Sequence, residues 1–136
     1  MKLMTKQLSK MVVNRDELIE RMMGSVPMAE RLLKRFVETA SQDCELLEST
    51  VRLGDQQAIA SIAHRHKGTA RTLAAPQVAE CAAKLEARAS TDSTADLLGL
   101  VDELRQLHDE VRLVQQTGLV STPHSVTFFS DREASL

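Results

Sequence analysis

The chain is almost without aromatic residues: it has no tryptophan, no tyrosine and only three phenylalanines among 136 residues. The strands of β-sandwiches and β-barrels are rich in aromatic and β-branched residues, so the scarcity of aromatic residues favours a helical fold. It also excludes the interleaved aromatic and basic residues on which single-strand binders stack nucleic acid bases. The formal net charge of −2 argues in addition against a protein that mainly binds nucleic acid or an anionic membrane.

Long apolar runs and clustered cysteines are missing too. No stretch approaches the roughly 20 apolar residues that span a bilayer, and the first residues have no apolar core of a secretion signal. We therefore expect a cytoplasmic protein without a membrane partner. Cys44 and Cys81 lie far from each other without metal-ligand spacing, so we expect reduced packing residues and no metal site. The length fits one domain.

Apolar residues recur with a helical period along most of the chain. Asn14 followed by Glu17 has the pattern of a capping box, which begins a short helix that Gly24 ends. The remaining helices are predicted over about 3–12, 27–53, 56–74, 76–89 and 93–116. Four long helices with short connections predict an all-α fold, an antiparallel up-and-down four-helix bundle with short extra N-terminal helices. We expect the bundle domain to occupy residues 1–118 and a C-terminal tail to occupy 119–136.

The most informative pattern is Ala-His-Arg-His-Lys-Gly at residues 63–68. At about 100° per residue, His66 joins an apolar stripe that faces the core, whereas His64 lies on the opposite, exposed side. Gly68 follows His64 by one turn, and Lys67 lies beside them. Glycine inside a helix costs about 1 kcal/mol relative to alanine, so its benefit here is space near the ring. An accessible imidazole with a gap and a nearby cation suits a ring that carries a phosphoryl group.

Segment 63–86 resembles the histidine-containing phosphotransfer (Hpt) domain of multistep two-component signalling. That family's pattern reads Ala-His-x-Leu-Lys-Gly-Ser, then a Gly-Ala-x-x-Leu break, then a Leu-Glu pair on the next helix, here Leu85 and Glu86. Upstream matches extend the resemblance over about residues 14–112. The chain departs from the pattern at His66 in place of leucine, at Ala74 in place of glycine, and at Thr69 in place of serine.

The resemblance implies a role for each matching residue. His64 would be phosphorylated, Lys67 would lie beside the phosphoryl oxygens, and Gly68 would leave the opening through which a partner approaches. Glu86 would hydrogen-bond the imidazole and leave its other nitrogen as the nucleophile. Met11, Val13 and Leu18 are weaker candidates for the docking surface.

The function that follows from the resemblance is a phosphocarrier without autokinase activity. It would relay a phosphoryl group between aspartates in the receiver domains of a hybrid sensor kinase and a response regulator, through a phosphohistidine. We expect a monomer that needs no cofactor or metal of its own, because Mg²⁺ belongs to the partner receiver domain. No nucleic acid partner is expected.

Other interpretations stay open at this point. A non-catalytic helical module could sequester a response regulator or another signalling partner through the same face. A metal-binding bundle is disfavoured because the Glu-x-x-His pairs of di-metal sites are missing. A domain of a larger sensor kinase would use the same chemistry in cis, although the initial methionine favours a free-standing protein.

The remaining histidines have simpler predicted roles. His66 is interpreted as a neutral, hydrogen-bonded core histidine that makes folding acid-sensitive, or alternatively as a second phosphorylation or ligand site. His108 is interpreted as structural or solvated, and His124 as exposed.

Overall fold

A computed structural model of the protein describes residues 11–119, and these residues are helical with short connections. Its helices are α1 (Arg15–Arg21), α2 (Val26–Leu53), α3 (Gln56–Thr72), α4 (Pro76–Arg88) and α5 (Thr94–Thr117). The predicted all-α class is confirmed over this part of the chain. The helix predicted at 3–12 and the tail beyond Leu119 fall outside the described residues, apart from residues 11 and 12, which are not helical.

The four long helices form a closed ring. Each packs on the next along the chain, and α5 packs on α2, so α3 and α5 are diagonal neighbours. Paired residues run in opposite order along α2 and α5. Glu48 accepts from Arg105, Cys44 contacts His108, and Glu30 accepts from the backbone N–H of Leu119 just beyond α5. This order is that of an antiparallel pair.

One core lies inside the ring and extends under α1. Aliphatic side chains contribute most of it, and each buried leucine or isoleucine stabilises the fold by about 1.5 to 3 kcal/mol. The largest fully buried aliphatic residues are Leu18, Leu33, Leu47, Ile59, Leu73, Leu85 and Leu104. None of the helices in residues 11–119 has the length and apolar character that crossing a membrane requires.

Local capping sets the starts of most helices. Asp55 begins α3 by accepting a hydrogen bond from the Ala58 N–H at 3.1 Å, which satisfies one of the free donors of the first turn. Gly54 ends α2 in the left-handed region, with φ of 73°. These two adjacent residues therefore place α3 directly after α2, as the sequence predicts.

The predicted capping box at α1 is half correct. The Asn14 side chain accepts from the Glu17 N–H at 3.1 Å, but the Glu17 carboxylate pairs with Arg21 instead of returning to Asn14. The Asn14 N–H donates to the Ala74 carbonyl at 2.8 Å. A tertiary contact has thus replaced the local bond, and it ties the start of α1 to the turn between α3 and α4.

Candidate phosphotransfer site

Helix α3 presents its two central histidines to opposite environments. Ile59, Ile62 and Ala70 are buried on the same side as His66, which is 2% exposed. The His64 side chain is 68% exposed. The inward and outward faces predicted from the helical period are therefore confirmed, because burial of the apolar stripe fixes the rotation of α3 about its axis.

Glu86 on α4 bridges the two polar side chains of the exposed face. Its Oε2 accepts from His64 Nδ1 at 2.9 Å, and its Oε1 accepts from Lys67 Nζ at 2.7 Å. The Lys67 ammonium, with a smaller contribution from His64, holds the pKa of Glu86 below its ordinary value. The carboxylate is therefore ionised at neutral pH and can only accept these hydrogen bonds.

This bridge assigns the two nitrogens of the His64 ring. Since a carboxylate has no proton to give, Nδ1 carries the hydrogen in the neutral imidazole, and Nε2 keeps its lone pair. Nε2 is then the nitrogen that is free to act as a nucleophile. Sequence could not decide this point, because it depends on which ring nitrogen faces a residue on the neighbouring helix.

Lys67 is held close to the imidazole through the carboxylate that they share. Its side chain is only 17% exposed, far less than that of His64. The aliphatic stem lies along the bundle surface while the ammonium reaches Glu86, as long cationic side chains commonly do. The positive charge of Lys67 therefore lies on the same carboxylate that binds the imidazole.

Gly68 has no structural reason to be glycine. A Cβ built at this exposed position would meet nothing within 4 Å, and the residue lies inside α3 without a positive φ. Neither packing nor backbone conformation therefore excludes a side chain here. The open space lies one turn beyond His64 and is available to a group that arrives from outside the bundle.

A comparison with known protein families matches residues 31–116 to the family described as the Hpt domain. The match covers more than half of the chain. The chain belongs to the Hpt domain family. Hpt domains act in phosphotransfer in two-component phosphorelays and are phosphocarriers rather than kinases. Searches of curated proteins and of solved structures give no match for this chain.

The Hpt domain also contains a polar cluster in its core that sequence analysis found only in part. Asp43 Oδ2 lies 3.0 Å from His66 Nδ1, His66 Nε2 lies 2.8 Å from His108 Nε2, and His108 Nδ1 lies 3.3 Å from Cys44 Sγ. We call these four residues the core histidine chain. The hydrogen-bonded core role predicted for His66 is confirmed, and His108, at 5% exposed, is structural rather than solvated.

A signal for the partner of His66 was present in the sequence. A histidine on an inner stripe needs a polar partner inside the core. His108 follows Leu104 by one turn on the inner face of α5, where it can provide one. Within residues 11–119, no group of three or more histidine, cysteine, aspartate or glutamate side chains is arranged to hold a metal ion.

The weaker docking candidates require a correction. Val13 and Leu18 are buried at 2% and 0% exposed, so they belong to the core and offer no surface to a partner. Met11 is exposed. The cause is tertiary: α1 packs against α2, which turns the apolar residues of the N-terminal segment inward.

Proposed function

We propose that this Hpt domain relays a phosphoryl group between the aspartates of receiver domains, with His64 as the phosphorylated residue. The observation that supports this most directly is the open space at Gly68, one turn beyond an exposed imidazole. Open space alone does not distinguish this glycine, since Gly99 has it too; Gly68 differs because its space adjoins the exposed imidazole of His64, which Glu86 holds.

In the proposed step, the lone pair of His64 Nε2 attacks the phosphorus of an aspartyl phosphate on the partner. An N–P bond forms as the acyl O–P bond breaks, and the electron pair of the broken bond returns to the partner's aspartate as carboxylate. The reverse reaction delivers the phosphoryl group to a second receiver domain. No nucleotide takes part, and the Mg²⁺ that such transfer uses belongs to the receiver domain.

Two residues assist this step in the proposal. Glu86 orients the ring by accepting from Nδ1, and it offsets the positive charge that the imidazole gains when Nε2 forms its new bond. Lys67 lies on the same carboxylate and offsets negative charge on the equatorial phosphoryl oxygens. Because the nucleophile is held ready, most of the domain's contribution is positioning.

The proposed partners are the receiver domains of a hybrid sensor kinase and of a response regulator. A monomeric state, a cytoplasmic location and a bundle domain over residues 1–118 remain predictions. A transient carrier is expected to use a small interface around His64, since it must release one partner before it meets the next.

The test is transfer of labelled phosphate from a phosphorylated receiver domain to the purified protein. We expect a label that is labile in acid and stable in alkali, as phosphohistidine is. The variant His64→Gln should take up no label and should stay folded, because the replaced side chain is exposed. Glu103→Gln is the matched control, since it places the same side chain at an exposed position of α5, diagonally across the ring from α3.

Two results would contradict the proposal. Labelling of His64→Gln at the rate of the unchanged protein would exclude His64 as the acceptor. Stable binding of receiver domains without any transfer would replace the carrier with a module that sequesters its partner.

A further inference from the structure

The core histidine chain joins three helices, and three of its four side chains are buried. Asp43 and Cys44 come from α2, His66 from α3 and His108 from α5. His66, His108 and Cys44 are buried. The centroid of the Phe36 ring lies 5.4 Å from the centroid of each imidazole. The hydrogen bond between His66 and His108 links α3 to α5 across the diagonal of the bundle.

A single arrangement of protons satisfies the chain when both imidazoles are neutral. His66 Nδ1–H donates to the ionised Asp43, so His66 Nε2 must accept. His108 Nε2–H donates to it at 2.8 Å, and His108 Nδ1 then accepts from the Cys44 thiol. Every hydrogen bond runs in one direction, from Cys44 towards Asp43. The two rings are therefore opposite tautomers.

We propose that the core histidine chain is an acid-sensitive latch of the bundle, which takes up one proton with its hydrogen bonds intact and opens when a second proton arrives. This inference goes beyond the proposed function and does not depend on it. It rests on the order of the hydrogen bonds and on the burial of His66, His108 and Cys44.

The first proton can be accommodated by reversing the direction of two hydrogen bonds. A proton that reaches His108 Nδ1 lets the Nε2 proton of the same ring pass to His66 Nε2. His66 is then an imidazolium beside the Asp43 carboxylate, which stabilises its charge. His108 is neutral again, now as the opposite tautomer, with its Nδ1–H directed at Cys44 Sγ. All three hydrogen-bonded contacts of the core histidine chain are kept.

A second proton has no place in this arrangement. It would give both rings an N–H at facing Nε2 atoms only 2.8 Å apart, with two adjacent positive charges in the core. Burial, together with the nearby charge of His66, lowers the pKa of His108 to about 3. Protonation of both rings is therefore expected to separate α5 from α2 and α3 rather than occur inside the closed bundle.

His108 lies beside a surface pocket, which gives protons a route to it. A surface pocket of about 200 Å³ lies between α2 and α5, and both Cys44 and His108 contribute to its walls. The charged or titratable groups around the chain come from all four long helices: Asp43, Cys44 and Glu45 on α2, Arg65 on α3, Cys81 on α4, and Arg105, Asp109 and Arg112 on α5. Charges of both signs surround the imidazoles, so burial is the main cause of the resistance to a second proton.

The sign of the pH effect follows from these directions. Because His108 binds a proton less readily in the folded state than its ordinary pKa of 6.5 allows, the unfolded chain binds more protons between pH 6.5 and about 3. The contribution of His108 to the free energy of unfolding is fully present above pH 6.5, and it decreases as pH falls through this window. Asp43, whose pKa is lowered by its hydrogen bond with His66, adds a loss in the same direction below its unfolded pKa.

The direct test is nitrogen-detected NMR of the histidine rings together with denaturant unfolding from pH 7 to pH 4. At pH 7 we expect His66 to carry its proton on Nδ1 and His108 on Nε2. On acidification His108 should change to the Nδ1 tautomer. The unfolding equilibrium constant should rise by up to about tenfold per pH unit below 6.5, which corresponds to one proton taken up on unfolding.

Variants separate the latch from ordinary acid sensitivity. The double variant His66→Leu with His108→Leu should lose most of the pH dependence between 6.5 and 4.5. His64→Gln, which removes an exposed histidine from the same helix as His66, should retain it. An unchanged slope in the double variant would overturn the proposal, as would identical tautomers of His66 and His108 at pH 7. Should the double variant not fold, the tautomer measurement on the unchanged protein decides alone.

Discussion

Replacement of Gly68 by glutamine should make the bundle more stable while it blocks phosphotransfer. Most substitutions that abolish an activity leave stability unchanged or lower it. Here the two effects should have opposite signs, because the glycine weakens the helix and at the same time leaves space for a partner.

The gain in stability can be worked from the helix geometry. A Cβ at position 68 meets no atom within 4 Å, and the position is exposed, so a glutamine adds neither a clash nor a buried amide. The difference in helix propensity between glycine and glutamine then stabilises the fold by about 0.5 to 1 kcal/mol. For a domain of this size, that corresponds to a rise in Tm of roughly 2 to 4 °C.

Gly99 provides a matched control. It also lies inside a long helix, it is exposed, and a Cβ there also meets nothing within 4 Å. Gly99→Gln on α5 should therefore raise Tm by a similar amount and leave phosphotransfer unchanged, because α5 lies diagonally across the ring from α3.

The assay measures Tm and the initial rate of labelled phosphate transfer for the unchanged protein and for both variants. Full transfer by Gly68→Gln would show that the space beside His64 is not used. Loss of transfer in both variants would show that a helix glycine matters for a reason other than access. A fall in Tm for either variant would contradict the propensity argument.

Two further predictions follow from the same geometry. Glu86→Gln should slow phosphotransfer by roughly tenfold, since the carboxylate that orients His64 becomes a weaker, neutral acceptor. The control Glu80→Gln, on the exposed face of α4, should leave the transfer rate unchanged. Equal transfer rates for the two variants would contradict the role of Glu86. Met23 has φ of +57° and is 95% exposed, so Met23→Gly should relieve left-handed strain and stabilise the fold by about 0.5 to 1 kcal/mol. Chemical denaturation measures this, and a destabilised variant would contradict it.

Local features of the amino-acid sequence determined the helices and the faces of α3. The predicted bounds of the long helices lie within two residues of those observed, because caps such as Asp55 and Gly54 act on their own first or last turn. The inward position of His66 and the exposure of His64 follow from the helical period. Both properties depend on residues that are close together in the chain.

Only the tertiary structure decided how residues from different helices meet. The resemblance implied the contact of Glu86 with His64, but only the packing of α4 on α3 showed that the same carboxylate binds Lys67 and that it faces Nδ1 of the ring. The pairing of His66 with His108 across the bundle arose in the same way. The packing of Val13 and the backbone partner of Asn14 were also set by neighbouring elements. These contacts depend on the relative position of packed helices, which no local pattern encodes.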